Sequence, residues 1–144
     1  MFLIDTNVIS EARKRDRADP GVAAFFRQAA KTDAALYLSA VTVGELRRGV
    51  ALIGHRGDSA QARLLDTWLR QVLGQFSARI LPFDTEAAQV WGALRVPHPE
   101  HALDKQIAAI ALVNDLILVT RNTADFVGTG VKLSNPFAQA GVRP

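Results

Sequence analysis

The sequence predicts an α/β fold built on a mostly parallel sheet. Three observations carry that prediction. Short apolar runs alternate with longer stretches of helical periodicity, the pattern of strands joined by crossover helices. The runs at residues 2–4 and 116–119 are apolar without alternation, as strands buried on both faces are. The stretch 107–113 is apolar nearly all round, so a helix there has to be covered on every side.

Taken in order, Phe2, Leu3 and Ile4 form the first strand, ended by Asp5. Val22, Phe25, Phe26 and Ala29 fall on one stripe of a helix. Leu36, Tyr37, Leu38 and Ser39 read as a second strand leading into a helix near residues 43–52. Leu64, Leu65, Trp68, Leu69, Val72, Leu73 and Phe76 place a long amphipathic helix over residues 62–76. Residues 79–81 form a brief strand. Ala87, Val90, Trp91 and Leu94 mark another helix, N-capped near Asp84 or Thr85. Asp104 begins the buried helix, residues 116–119 make an internal strand ending at Thr120, and residues 131–133 supply a last edge strand. The charged stretch 14–21 and the proline-bearing stretch 95–102 read as loops.

The chain has 144 residues, which suits a single domain spanning 1–144. With 49% hydrophobic and 22% charged residues it has the balance of a folded protein and not of a disordered one. There is no cysteine, which excludes disulfides, thiolate zinc sites and a cysteine nucleophile together. The longest apolar run is far below the roughly 20 residues of a membrane span, and a carboxylate at position 5 is unlike a secretory signal. A cytoplasmic protein is expected. No Walker loop occurs, and Gly128-Thr129-Gly130 lacks the third glycine of a dinucleotide site. An aspartyl phosphotransferase usually has a second acid two residues after the first, where this chain has Asn7.

Ligands of open parallel sheets bind beyond the carboxyl ends of the strands, so the polar residues there matter most. Asp5 follows the first strand, with Thr6 and Asn7 behind it. Thr120, Arg121 and Asn122 follow the strand at 116–119, and Asp125 lies a short turn further. Glu45 lies near the start of the helix after the second strand, and Asp104 begins the buried helix. Singly, each has a plain structural role open to it. Asp5 and Asp104 could be helix caps, Glu45 could pair with Arg48 at i,i+3, and Asp125 could hold a turn. Jointly, if the first and fourth strands are neighbours, four carboxylates converge. They would repel one another unless cations lay between them. Oxygen donors without Cys or His select Mg²⁺ or Mn²⁺, and such sites commonly serve phosphate chemistry.

The sequence resembles the PIN-domain ribonucleases, and within them the VapC-type toxins of bacterial toxin–antitoxin pairs, including the FitB-like branch. The likeness spans nearly the whole chain. It is carried by FLIDTNVIS from Phe2, LSAVTVGELRRG from Leu38, DKQIAA from Asp104, LVTRNTADF from Leu118 and GVKLSNPF from Gly130. The resemblance implies a three-layer fold with a central, mostly parallel sheet of four or five strands flanked by helices. It implies an acidic quartet of Asp5, Glu45, Asp104 and Asp125 holding one or two Mg²⁺ or Mn²⁺ ions, with Thr6, Thr120 and Asn122 lining the pocket. It further implies endoribonuclease activity leaving a 5′-phosphate and a 3′-hydroxyl, a homodimer or a toxin–antitoxin hetero-oligomer, and a small VapB-like antitoxin that covers the pocket. The family usually has a small or apolar residue after the third acid, where this chain has Lys105.

Arg47, Arg48 and Arg121 are candidates for contact with RNA or antitoxin. The run Arg13, Lys14, Arg15, Arg17 could touch phosphates or be a solvated loop. Phe25, Phe26, Leu46, Val50 and Leu64 are candidates for the antitoxin groove, each with a core position as its alternative. His98 and His101 stand at i,i+3, but Pro97 and Pro99 argue against the helix a zinc pair would need. The competing function is a non-catalytic PIN-like module that binds nucleic acid or protein, against which stands the full set of acids. Residues 1–80 carry 12 basic and 8 acidic side chains and residues 81–144 carry 5 and 6, so the net +3 mixes a basic front with a nearly neutral back. If four acids converge on a metal, the remaining surface is more basic than +3 suggests, which favours RNA.

Overall fold

A computed structural model describes residues 1–138 of the protein. Five parallel strands form one sheet: β1 (Phe2–Ile4), β2 (Leu36–Ser39), β3 (Ile80–Leu81), β4 (Ile117–Val119) and β5 (Leu133–Ser134). Their order is β3-β2-β1-β4-β5. β1 pairs with β2 on one side and with β4 on the other, with Leu3 opposite Tyr37 and Leu118. The chain thus winds outward from β1 in one direction, then returns to the opposite side of β1 for β4 and β5. The gap between β1 and β4 is the point where strand order reverses, and it is there that parallel sheets open a crevice at their carboxyl ends.

Among the described residues, six α-helices cover the sheet: α1 (Thr6–Ala12), α2 (Pro20–Lys31), α3 (Ala40–His55), α4 (Ser59–Gln75), α5 (Thr85–Leu94) and α6 (Ala102–Val113). Strand side chains alternate between faces and so sort into two cores. Leu3 and Leu118 pack with Ile107, Ala108, Ala111 and Phe126 beneath α5 and α6. Ile4, Leu38 and Val119 pack with Val8, Val22, Leu46, Leu69 and Val72 beneath the other four helices. This is the three-layer arrangement expected.

Several boundaries differ from the sequence reading. α1 is an additional helix, capped by Asp5, whose Oδ1 accepts from the Thr6 amide. α3 starts earlier than expected because the Ser39 side chain caps it by accepting from the Thr42 amide. Asp58 likewise starts α4 at Ser59, by accepting from the Gln61 amide. The last strand is shifted to Leu133–Ser134. The stretch 14–21 holds a 3₁₀ turn (Arg15–Arg17) and the first turn of α2.

The described tail is tied to α2. Asp19 Oδ2 accepts from the amides of Gly21, Val22 and Ala138 at 2.8, 3.1 and 2.9 Å. Burial pushes the Asp19 carboxyl up, but these amides outweigh it and hold it below its usual range. A Cβ on Gly21 would overlap the Pro136 carbonyl oxygen and lie 2.7 Å from the Ala138 nitrogen. Gly21→Ala is therefore expected to displace the tail and cost about 1–3 kcal/mol, as overpacking does. A lowered midpoint in urea would show it, and an unchanged midpoint would refute the docking.

Candidate active site

The carboxyl ends of β1 and β4 lie side by side, and the first two site residues come directly from them. The Asp5 amide donates to the Val119 carbonyl at 2.9 Å. The Asp5 side chain is 4% exposed, with both oxygens engaged: Oδ1 by the Thr6 amide, Oδ2 by the Thr120 hydroxyl at 2.7 Å and by Asn7 Nδ2 at 3.4 Å. Burial raises the Asp5 pKa, and the charge of Asp125 adds to that. The hydrogen bonds from Thr120, Thr6 and Asn7 oppose it without cancelling it.

Glu45 comes from the second turn of α3. It forms no i,i+3 pair with Arg48 among the described residues. Its Oε1 instead accepts from the Thr6 hydroxyl at 2.7 Å. Thr6 Oγ1 lies 3.2 Å from Thr42 Oγ1, which in turn accepts from Ser39 Oγ at 3.1 Å. A line of hydroxyls from the end of β2 thus fixes Glu45 through a neighbour on α1.

Asp104 is the third residue of α6, not its cap, and Asp125 lies in a 3₁₀ turn (Thr123–Phe126) after β4. Each offers a carboxylate oxygen, and with a ring nitrogen of His101 these atoms all lie within 4.8 Å of one another. Burial raises the Asp104 pKa, followed by the charges of Asp5, Asp125 and Glu45, with His101 acting against them. Asp104 thus feels the charge of each of the other three predicted acids, and Asp5 that of Asp125. Buried carboxylates that raise one another's pKa, as Asp5 and Asp104 show, are a donor set that a hard divalent cation fits, because its charge offsets both the burial cost and the repulsion.

Thr120 is fully buried; its hydroxyl donates to Asp5 and accepts from the Asn122 amide at 3.1 Å. Asn122 itself is exposed, whereas Asp125 is half-buried, so the turn offers Asp125 to the pocket and uses Asn122 to start the turn. Arg121 stacks on Phe137 with 4.8 Å to the ring centroid, and its amide donates to Asn7 Oδ1. Asn7, which has no metal-binding charge to mark it in the sequence, thus bridges the ends of β1 and β4. Arg48 is exposed, but Arg47 is bound to Asp66 at 2.7 Å, and Asp66 also takes Arg70. Lys105 is buried and donates to the His98 carbonyl.

Another cavity, of about 760 Å³, lies away from the acids, between α1, α2 and α4. Ile9, Phe26, Trp68, Val72 and Phe76 line it, with Arg13 and Arg15 among its basic neighbours. Of the five groove candidates only Phe26 lines it. Leu46 and Val50 are core, Phe25 packs edge-on between Phe2 and Phe26, and Leu64 is exposed elsewhere on α4. Of the basic run, Arg13 and Arg15 line this groove, while Lys14 pairs with Glu11 at 2.9 Å.

Comparison with known proteins places these features in a family. The PIN domain profile matches residues 2–130. The Toxin FitB of Neisseria gonorrhoeae is 38% identical over 95% of this chain and 99% of its own. The VapC ribonuclease Y4jK of Sinorhizobium fredii is 35% identical over 97% of this chain and all of its own. The crystal structure of FitAcB from Neisseria gonorrhoeae superposes with a TM-score of 0.81 at 38% identity, covering 94% of this chain and 98% of that one.

Proposed function

The chain belongs to the PIN-domain family, with FitB and VapC toxins as its relatives, and from that membership we propose that it is a divalent-metal-dependent endoribonuclease acting as the toxin of a toxin–antitoxin pair. The observation that supports this most is the convergence of Asp5, Glu45, Asp104 and Asp125 from four separate elements at the point where strand order reverses. Asp5, Glu45 and Asp104 would hold Mg²⁺ or Mn²⁺, with Asp125 completing the site. When bound, the ion supplies Lewis-acid activation of water and neutralises charge gathering on phosphorus.

The chain's own residues do the rest. Thr120 and the Thr6 amide fix both oxygens of Asp5, so its carboxylate cannot swing from the pocket. The Thr6 hydroxyl orients Glu45. Arg48, free of a salt bridge among the described residues, and Arg121, held by its stack on Phe137, can take backbone phosphates at the pocket rim. Arg47, engaged by Asp66, is the weaker candidate. A small VapB-like antitoxin is the proposed partner, and the apolar groove between α1, α2 and α4, with its basic neighbours, suits an amphipathic segment with acidic flanks.

The test incubates purified protein with total RNA in Mn²⁺ or Mg²⁺, with and without chelator, alongside Asp104→Asn. Cleavage that needs metal, vanishes in the variant and leaves ligatable 5′-phosphates is the expected result. Metal-independent cleavage, or full activity in Asp104→Asn, refutes the site. Failure of the wild type on every RNA supports the non-catalytic module instead.

A further inference from the structure

We propose that His101 is a nitrogen ligand of the metal site, so that this chain holds its ion with a mixed imidazole and carboxylate set and favours Mn²⁺ over Mg²⁺. The inference rests on the metal reading of the acidic pocket and adds a donor to it.

Three observations lead there. The first is distance. Donors on opposite sides of one ion lie about 4.3 Å apart, because each sits about 2.0–2.2 Å from it. The ligand atoms of His101, Asp104 and Asp125 lie within 4.8 Å of one another. His101 Nδ1 is 3.6 Å from Asp104 Oδ2, too long for a hydrogen bond. It is a fair separation for two donors that one ion would draw together.

The second is the backbone. His101 directly precedes α6 with φ 56° and ψ 47°, a left-handed conformation whose positive φ Arg15, Asp33 and Asp115 share and which His adopts more readily than most residues. Its side chain makes no capping hydrogen bond, so capping does not account for the conformation. What the conformation does achieve is to bring the ring beside Asp104 and Asp125.

The third is the loop that carries it. Lys105 Nζ donates to the His98 carbonyl and Arg95 Nε to the Pro99 carbonyl at 3.3 Å. Trp91 Nε1 donates to the Ala102 carbonyl at 2.9 Å, and the Arg95 guanidinium stacks on the same indole. Long side chains from α5 and α6 therefore pin the backbone on both sides of His101. Lys105, unusual beside the third acid, thereby serves to hold the loop. His98 shows the contrast: both rings are exposed, at 78% for His98 and 53% for His101, but the carboxylate beside His98 is Glu100, outside the cluster.

The chemistry of selection follows. Mg²⁺ demands oxygen donors and keeps its water; Mn²⁺ also suits carboxylate oxygens, but as a first-row transition ion it gains more than Mg²⁺ does from one imidazole. A nitrogen donor added to the carboxylates thus raises affinity for Mn²⁺ and leaves that for Mg²⁺ nearly unchanged.

The experiment uses the purified full chain and Mn²⁺ alone, with Mg²⁺ as competitor. Pulsed electron paramagnetic resonance reads ¹⁴N coupling to bound Mn²⁺, and calorimetry reads both affinities. The variants are His101→Asn, since Asn tolerates the left-handed backbone, and His98→Asn as control, each checked for an unchanged melt. Expected are ¹⁴N coupling in wild type and His98→Asn, its loss in His101→Asn, and Mn²⁺ affinity lowered about tenfold there while Mg²⁺ affinity moves by less than about twofold. Mn²⁺ binding without ¹⁴N coupling, coupling that survives in His101→Asn, or equal losses for both ions overturns the inference and leaves the metal reading standing. No Mn²⁺ binding by the wild type overturns both.

Discussion

Asp5→Asn is expected to abolish RNA cleavage and at the same time to raise the melting temperature of the metal-free protein. The first effect follows from position. Asp5 is the most buried of the four acids and the one whose oxygens are both fixed, so losing its charge removes the best-oriented of the proposed metal ligands. A bound metal supplies several kcal/mol of transition-state stabilisation, and at about 1.4 kcal/mol per decade a loss of about a thousandfold in rate is expected. The second effect follows from the sign of the pKa shifts. Asp5 and Asp104 are both raised above the ordinary value of 3.8. Between that value and their folded values, the folded state binds more protons than the unfolded one. Stability therefore falls as pH rises through that window, and at neutral pH the full penalty is present. Replacing Asp5 by Asn removes its share and also the largest of the neighbouring charges acting on Asp104, whose pKa should fall back. Melts in chelator across the acid range check this: the wild type should gain stability as pH falls from neutral, and Asp5→Asn should start higher and gain less. An Asn variant that melts lower than wild type at neutral pH would contradict the account.

Parts of this site are legible in the sequence because they are local. A carboxylate ending an apolar run of strand residues can be seen at Asp5, and the run before Thr120 announces the second strand end. Other parts depend on tertiary contacts. Glu45 and Arg48 have the spacing of a helix-surface ion pair, yet Glu45 is held by Thr6, 39 residues away. Asp104 has the look of a cap because nothing in its neighbourhood reveals that His101 enters the helix left-handed. No helix joins His98 and His101, so the prolines do rule out a helical zinc pair. They carry no sign that Asp125 comes to His101 from across the fold. α1 leaves no periodic signal because seven residues hold too few turns for a period to emerge. Leu46 and Val50, candidates for the groove, are core because α4 packs over that face of α3, and only folding reveals which side of a helix is covered. Arg13 and Arg15 of the basic run line the cavity between α1, α2 and α4, a position that charge alone does not reveal.

Phe126→Ala is expected to be the most damaging single change outside the acids, costing about 3–5 kcal/mol of stability. The ring is 2% exposed and packs against the buried helix α6 and β4, so truncation leaves a cavity in a core that has little freedom to collapse. Domains of this size hold roughly 5–15 kcal/mol in all, so the variant would be marginal. Its position gives it a second consequence. Phe126 is the residue after Asp125 in the same 3₁₀ turn, and its carbonyl accepts from the Thr129 hydroxyl at 2.7 Å and from the Thr129 amide. The ring is the anchor of a short turn that begins at Asn122, tied in turn to Thr120. With the anchor gone, Asp125 would no longer be held beside Asp104. Phe126→Leu separates the two roles, because it keeps an apolar plug and costs less. The expected pattern is a large drop in urea midpoint for Ala and a small one for Leu. Mn²⁺ affinity should be weakened in Ala, even under stabilising osmolyte, and nearly kept in Leu. Full Mn²⁺ affinity in a folded Phe126→Ala would show that Asp125 is placed by its own turn and not by the core beneath it.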